Sequence, residues 1–206
     1  MSDQWLQNKY QITGEGIIEI PRVLRSDLAQ WFHDLGFKVG VEVGVAAGEY
    51  SEILCQTNPQ ATIYGIDPWI AYDGYGDYKK ESTFNRMYND AMTRMRGFPN
   101  WKPIQAFSMD AVKQFEDESL DFVYIDANHA EPYVSQDINA WAKKVRKGGI
   151  VSGHDYIRLK SVRCDVIDAL EKYTKENNIN PLYILGTKPR IPENLRDESR
   201  SWLFFK

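Results

Sequence analysis

Cysteine is scarce in this chain of 206 residues: Cys55 and Cys164 are the only two, and they lie far apart. That excludes a disulfide framework and any zinc-ligand spacing, and reads both thiols as buried packing residues. No stretch approaches the roughly 18 uninterrupted apolar residues a membrane span requires, and residues 1–10 are polar with no signal-peptide hydrophobic region. A cytoplasmic protein without a membrane partner is expected. Blocks of like charge are missing too, since 25 Lys and Arg face 29 Asp and Glu for a net charge of -4. Nucleic-acid affinity rests on concentrated cationic side chains, so nucleic acid is not expected as a partner. With no repeat, low-complexity tract or linker, residues 38–206 read as one domain and residues 1–37 as a leader and capping helix. What is present, 43% hydrophobic residues over this length, suffices for a sizeable core.

Short β-branched runs alternate with helical patterns, the signature of a mostly parallel sheet covered by helices. Leu28, Trp31, Phe32 and Leu35 sit at helical spacing, with Ser26 or Asp27 as N-cap and Gly36 as stop. Strands are expected at 38–43, 61–66, 102–107, 120–125 and 150–153. Helices fall at 49–56, around Phe84–Met95, at 110–115, at 133–145 (stopped by Gly148 and Gly149) and from about Val162 to Tyr173. The segments 182–185 and 201–205 close the sheet as a late pair. This is an α/β, Rossmann-like, doubly wound sheet of seven strands ending in an antiparallel pair.

The first strand runs into Glu42, Gly44, Val45 and Gly48. Small residues at a strand-to-helix turn let the backbone touch a ligand at the carboxyl end of an open sheet. Ala46 stands where the dinucleotide fingerprint would carry its second glycine, which weakens an NAD reading. Glu42 would repel a pyrophosphate and suit a ligand bearing a cation or hydroxyls. Asp67, nineteen residues beyond Gly48, is placed to accept hydrogen bonds from both hydroxyls of an adenosine ribose. Trp69 either stacks on adenine or packs in its loop, and Asp110 either takes the adenine amino group or serves as a plain N-cap.

These residues, at the ends of successive strands, resemble class I S-adenosylmethionine-dependent methyltransferases, over roughly residues 38–206. The resemblance implies that the glycine loop holds the methionine part of the donor, Asp67 the ribose, and Ser108, Met109 and Asp110 the adenine.

Two of the three histidines lie beside carboxylates at the ends of neighbouring strands: Asp126 and His129, then His154 and Asp155. Asp126 and Asp155 can share one hard cation such as Mg²⁺, while His154 as a further ligand would favour a metal such as Mn²⁺. The pattern is similar to the macrocin O-methyltransferase and cephalosporin-biosynthesis group. There an Asp and a later acidic pair bind a divalent ion, and a His three residues after the first Asp is placed as base. Asp126 and His129 match that pattern; the acidic pair is here His154–Asp155. The resemblance implies O-methylation of a hydroxyl on a small metabolite, sugar-containing acceptors included, with a metal on Asp126, His154 and Asp155, and His129 as base. The alternatives are a metal-independent methyltransferase, in which Asp126 only touches the cofactor, and an NAD-linked oxidoreductase on the same layered fold.

Three weaker signals remain. Tyr72, Tyr75 and Tyr78, interleaved with Gly74 and Gly76, form either a lid over the acceptor or a surface loop. Arg190, Arg196 and Arg200 read as solvated surface more readily than as an anion site. Trp5 and Tyr10 are candidates for docking on a neighbouring subunit of a homo-oligomer.

Overall fold

A computed structural model of the chain describes residues 3–75, 80–158, 163–188 and 197–206. Gly76, Tyr78, Val162, Arg190 and Arg196 lie outside the described residues.

The described elements in order are α1 (Gln4–Tyr10), β1 (Ile17–Ile20), α2 (Arg25–Asp34), β2 (Val39–Val43), α3 (Glu49–Thr57), β3 (Thr62–Asp67), α4 (Glu81–Met95), β4 (Trp101–Gln105), α5 (Ser108–Ala111), β5 (Leu120–Ile125), α6 (Tyr133–Lys144), β6 (Val145–Gly153), α7 (Val166–Glu176), β7 (Leu182–Leu185) and β8 (Trp202–Phe205). A single 3₁₀ turn, Val112–Gln114, follows α5. The sheet order is β1-β7-β8-β6-β5-β2-β3-β4, and only β8 runs antiparallel to its neighbours. No described helix is long and apolar enough to cross a membrane.

The mostly parallel sheet and its late antiparallel strand are as the sequence suggests, but the sheet has eight strands rather than seven. The eighth comes from the leader: Ile17–Ile20 pairs in parallel with β7. Glu19 is fixed there by Arg200, whose Nη1 lies 2.5 Å from Glu19 Oε1, and Arg200 is buried rather than solvated. The leader aromatics pack at home as well. Trp5 and Tyr10 both contact the Trp31 ring, and the Trp31 Nε1–H donates to the Tyr10 hydroxyl at 3.2 Å. Each of the two remains partly exposed.

Local chemistry moves two expected boundaries. The capping helix begins at Arg25 with Leu24 as its cap, because Asp27 turns back to accept from the Leu24 N–H at 2.8 Å. Gly148 and Gly149 do not stop a helix. α6 has ended at Lys144, and the glycines sit inside β6, where its register on β5 shifts between Leu120 and Phe122. A Cβ on Gly149 would lie 2.4 Å from the Asp121 carbonyl oxygen, so only glycine lets the strands re-engage there.

Helices cover both faces. Phe32 of α2 stacks on Phe122 of β5 with ring centroids 3.8 Å apart on one face, and Trp141 of α6 is fully buried on the other. Within the first of these layers lies an acid. Glu42 of β2 is only 2% exposed and accepts a hydrogen bond from the Ser51 hydroxyl of α3. Burial pushes its carboxyl up to about 8; the Ser51 bond and Arg25 oppose the shift, and Asp126 and Asp67 reinforce it. A carboxyl raised in the folded state contributes its full stability below the unfolded pKa, near 4.5, and loses it as pH climbs toward 8. At roughly 1.4 kcal/mol per pH unit the loss is on the order of 5 kcal/mol. Glu42→Gln, which keeps an acceptor for Ser51, should match the wild type near pH 4 and exceed it by up to that amount at pH 8.5 in urea unfolding. Parallel stability curves for the two proteins would refute this reading of Glu42.

Candidate active site

The chain order reverses between β2 and β5: β3 and β4 extend the sheet to one side, and the chain then returns to lay β5 on the other. Open α/β sheets bind ligands at the crevice such a reversal leaves at the strands' carboxyl ends. Here the crevice is drawn tight by backbone alone. The Asp126 N–H donates to the Val43 carbonyl at 2.7 Å and the Gly44 N–H to the Ile66 carbonyl at 2.8 Å. Gly44 has φ +94°, and a Cβ on it would meet the Asp126 carbonyl oxygen at 2.0 Å, so no other residue fits.

A cavity of about 420 Å³ opens above this junction. Gly44, Ala46 and Asp126 are at its base, Asp67 and Pro68 on one wall, and Ser108, Met109 and Asp137 on another. Asp67 braces the turn. Its Oδ2 accepts from the Ala46 N–H at 2.9 Å and its Oδ1 from the Trp69 N–H at 2.7 Å. Both of those residues are left-handed, with φ near 50°, a conformation that costs non-glycine residues roughly 1–3 kcal/mol and needs such support. Burial raises the Asp67 carboxyl above its ordinary range, and these backbone donors pull the other way.

Aromatic residues close the opposite side. The Tyr72 and Tyr75 rings stack at 5.3 Å, and Tyr72 meets Phe107 edge-on at 5.2 Å. Asn128, almost fully buried, ties this loop down, its Nδ2 donating to the Gly74 carbonyl at 3.1 Å and to the Tyr72 hydroxyl at 3.4 Å. Both tyrosines line the cavity.

Beyond Asp126 lies the cluster of histidines and acids. His129 Nδ1 is 3.2 Å from Asp155 Oδ2, and His154 Nδ1 is 3.6 Å from Asp155 Oδ1 and 3.7 Å from Asp126 Oδ2. Burial alone would raise the Asp155 carboxyl, but the two imidazoles outweigh it and hold the group well below the usual carboxylate range. Burial likewise opposes the charged form of His154, and Asp155 with Asp126 reverses that, raising its pKa. Asp126 goes the other way: burial, reinforced by Asp155, lifts its carboxyl above the ordinary range despite His154, His129 and Arg25. Arg25 Nη1 stands 3.9 Å from Asp126 Oδ2.

Asp126, His154 and Asp155 each offer a ligand atom within 4.8 Å of the others, so the donor set, two carboxylates and an imidazole, fits a divalent cation. His154 Nε2 is buried without a hydrogen-bond partner among the described residues.

The sequence-derived residues divide by position. Gly44, Asp67, Ser108, Met109 and Asp126 line one cavity, and His129, His154 and Asp155 gather beside it. Glu42, Val45, Gly48, Trp69 and Asp110 do not line it. Glu42 and Val45 are buried in the core; Gly48, at φ +80°, is the N-cap of α3; and Trp69 is 2% exposed with its Nε1–H bonded to the Ala46 carbonyl at 2.8 Å. Asp110 is turned outward onto Lys113 at 2.8 Å. Asp137 takes the inner position that Asp110 lacks. It accepts from the Ser108 hydroxyl, which in turn accepts from the Trp141 Nε1–H at 2.8 Å, and burial pushes its carboxyl up to about 6. One signal in the sequence could have marked it: an acid set among Val134, Ile138 and Trp141 on the apolar face of α6. Nothing in the sequence marks Arg25.

No curated protein matches the sequence. Among solved structures the chain is similar to a candidate caffeoyl-CoA O-methyltransferase from Staphylococcus aureus (14% identity, 99% of this chain and 90% of that one, TM-score 0.63). It is also similar to an O-methyltransferase from Bacillus cereus in complex with SAH (12%, 88% and 80%, 0.60) and to spermidine synthase from Thermotoga maritima (14%, 88% and 58%, 0.59). At such identities the likeness establishes the fold alone. The family model for a methyltransferase domain matches residues 41–156, the span from β2 through Asp155 that builds the cavity and the cluster beside it. The chain belongs to the methyltransferase-domain family and is a class I S-adenosylmethionine-dependent methyltransferase.

Proposed function

We propose that this protein methylates a hydroxyl oxygen of a small molecule, and that one observation carries the reading: Asp126 is shared by the donor-sized cavity and the His129–His154–Asp155 cluster. Bound S-adenosylmethionine supplies a methyl group already made electrophilic by its sulfonium. The chain has to position an acceptor in line with that bond and take up a proton; alignment of the reacting pair can be worth roughly 7–11 kcal/mol.

Asp67 accepts from the ribose hydroxyls with the lone pairs that the Ala46 and Trp69 amides leave. Ile66, Pro68, Phe107 and Met109 line the part of the cavity that would hold the adenine, and Ser108 or Asp137 would meet its amino group. Gly44 and Ala46 let the methionine part approach the backbone. Asn128, Tyr72 and Tyr75 exclude water from the cavity's outer side. His129 presents Nδ1 to Asp155, which fixes the imidazole so that Nε2 receives the acceptor's proton. A divalent cation held by Asp126, His154 and Asp155 would supply Lewis-acid stabilisation of the developing alkoxide. A metal-independent route is favoured by a separate observation: Arg25 and the raised His154 already bring positive charge to the two acids.

Calorimetry with S-adenosylhomocysteine tests the donor site. Binding to the wild type should weaken about tenfold or more in Asp67→Asn, as expected when a hydrogen bond to a charged group worth roughly 1.5–3 kcal/mol is lost. No heat from the wild type would sink the proposal. With labelled S-adenosylmethionine and a metabolite extract, His129→Ala should lower turnover by roughly 10²–10⁴-fold at unchanged S-adenosylhomocysteine affinity. Full activity of that variant removes His129 as the base. Treatment with EDTA should abolish transfer, with Mg²⁺ or Mn²⁺ restoring it; indifference to the chelator assigns the chemistry to the metal-independent route.

A further inference from the structure

Arg25 differs from the other well-placed arginines of the chain. Arg94, Arg146, Arg158, Arg163 and Arg200 each put a guanidinium nitrogen within 2.7 Å of a carboxylate oxygen. Among the described residues the nearest carboxylate to the Arg25 guanidinium is Asp126, at 3.9 Å, outside hydrogen-bond range, and the Arg25 side chain is 28% exposed. Its backbone is nevertheless held on both sides. The N–H donates to Asp197 Oδ2 at 2.8 Å, and the carbonyl accepts from the Tyr50 hydroxyl at 2.9 Å. The guanidinium carbon lies 5.3 Å from the centroid of the Tyr50 ring, a cation–π contact that fixes the group without occupying its donors. A rigidly seated fork of donors with no hydrogen-bond acceptor among the described residues is therefore presented at the edge of the cluster beside the cofactor cavity.

The surrounding acids are already engaged. Asp155 is faced by His129 and His154, Asp197 serves the Arg25 amide, and the Asp126 oxygen nearest the guanidinium, 3.9 Å away, is also faced by His154 Nδ1 at 3.7 Å. The hydrogen-bond donors of the Arg25 fork are thus left for a ligand. A neutral hydroxyl would satisfy one donor; a planar or tetrahedral oxyanion matches two at once.

We infer that Arg25 binds an anionic oxygen group of the methyl acceptor, a carboxylate or a phosphate ester, and so selects acceptors that carry one. The inference rests on the methyltransferase reading and names its acceptor class. Because Asp126 is common to Arg25's surroundings and the cavity base, a molecule anchored on the fork is held beside the donor site. Arg25 is here a specificity-determining residue that takes no part in the proton transfer.

Protein saturated with S-adenosylhomocysteine is titrated calorimetrically with glycerate, glycerol 3-phosphate and glycerol, and with 4-hydroxybenzoate and 4-hydroxybenzamide. At least one anion should bind while its neutral counterpart does not. Binding of the carboxylates alone or of the phosphate alone identifies which oxyanion is read. Arg25→Gln should weaken that binding at least tenfold, and Arg25→Lys, which keeps the charge but not the fork, should fall between. S-adenosylhomocysteine affinity should stay within about twofold in all three proteins, which also reports that each is folded. The inference is overturned if no anion binds the loaded wild type, if the neutral compounds bind as well, or if Arg25→Gln binds the anion unchanged. Failure of S-adenosylhomocysteine itself to bind would instead overturn the methyltransferase reading beneath it.

Discussion

The contact on which the site depends is the one between the ends of β2 and β5, where Gly44 leaves no room for a side chain against the Asp126 backbone. Because the two strand ends touch, the acids carried at the end of β3 and just beyond β5 and β6 converge on one crevice instead of fanning out along the sheet. Asp67 then performs two tasks with one carboxylate. It stabilises the left-handed Ala46 and Trp69 through their amides, and it lines the cavity those residues shape. Backbone support and the shape of the cavity are therefore coupled at this position.

Electrostatics divides the region into two zones. In the cavity the acids are pushed toward neutrality: Asp126 and Asp137 are raised chiefly by burial, as is Glu42 beneath it. In the cluster beside it, Asp155 stays ionised through its two imidazoles. Opposite environments acting on similar side chains are how one fold separates binding from acid–base work.

Most of the sheet was legible in the sequence because the central strands, Glu42 of β2 apart, are largely apolar and the connections between them carry a helical period. β1 was not, although Ile17, Ile18 and Ile20 stand between Gly16 and Pro21; four residues hold too little pattern to separate a strand from a leader. At the site, the residues that end strands were legible: Gly44, Asp67, Asp126, His154 and Asp155 fall where topology puts them. Direction of a side chain after a strand end was not. One turn of helix swings Asp110 out to Lys113 while Ser108 stays in, and Trp69 folds beneath its own turn instead of over the cavity. Arg25 was illegible for another reason. Its setting is assembled from α2, α3, β5 and the segment before β8, and no local spacing encodes four elements far apart in the chain.

The strand order also bears on how the molecule comes into being. β1 touches only β7 in the sheet, β7 joins through β8, and β8 is the bridge to β6. During vectorial synthesis the earliest strand must therefore wait, unpaired, for the latest one to leave the ribosome. The segment bearing Arg25, tethered to Asp197, waits with it. The nascent chain can lay down the β2–β5 half of its sheet and the crevice above it long before β1 closes the far edge.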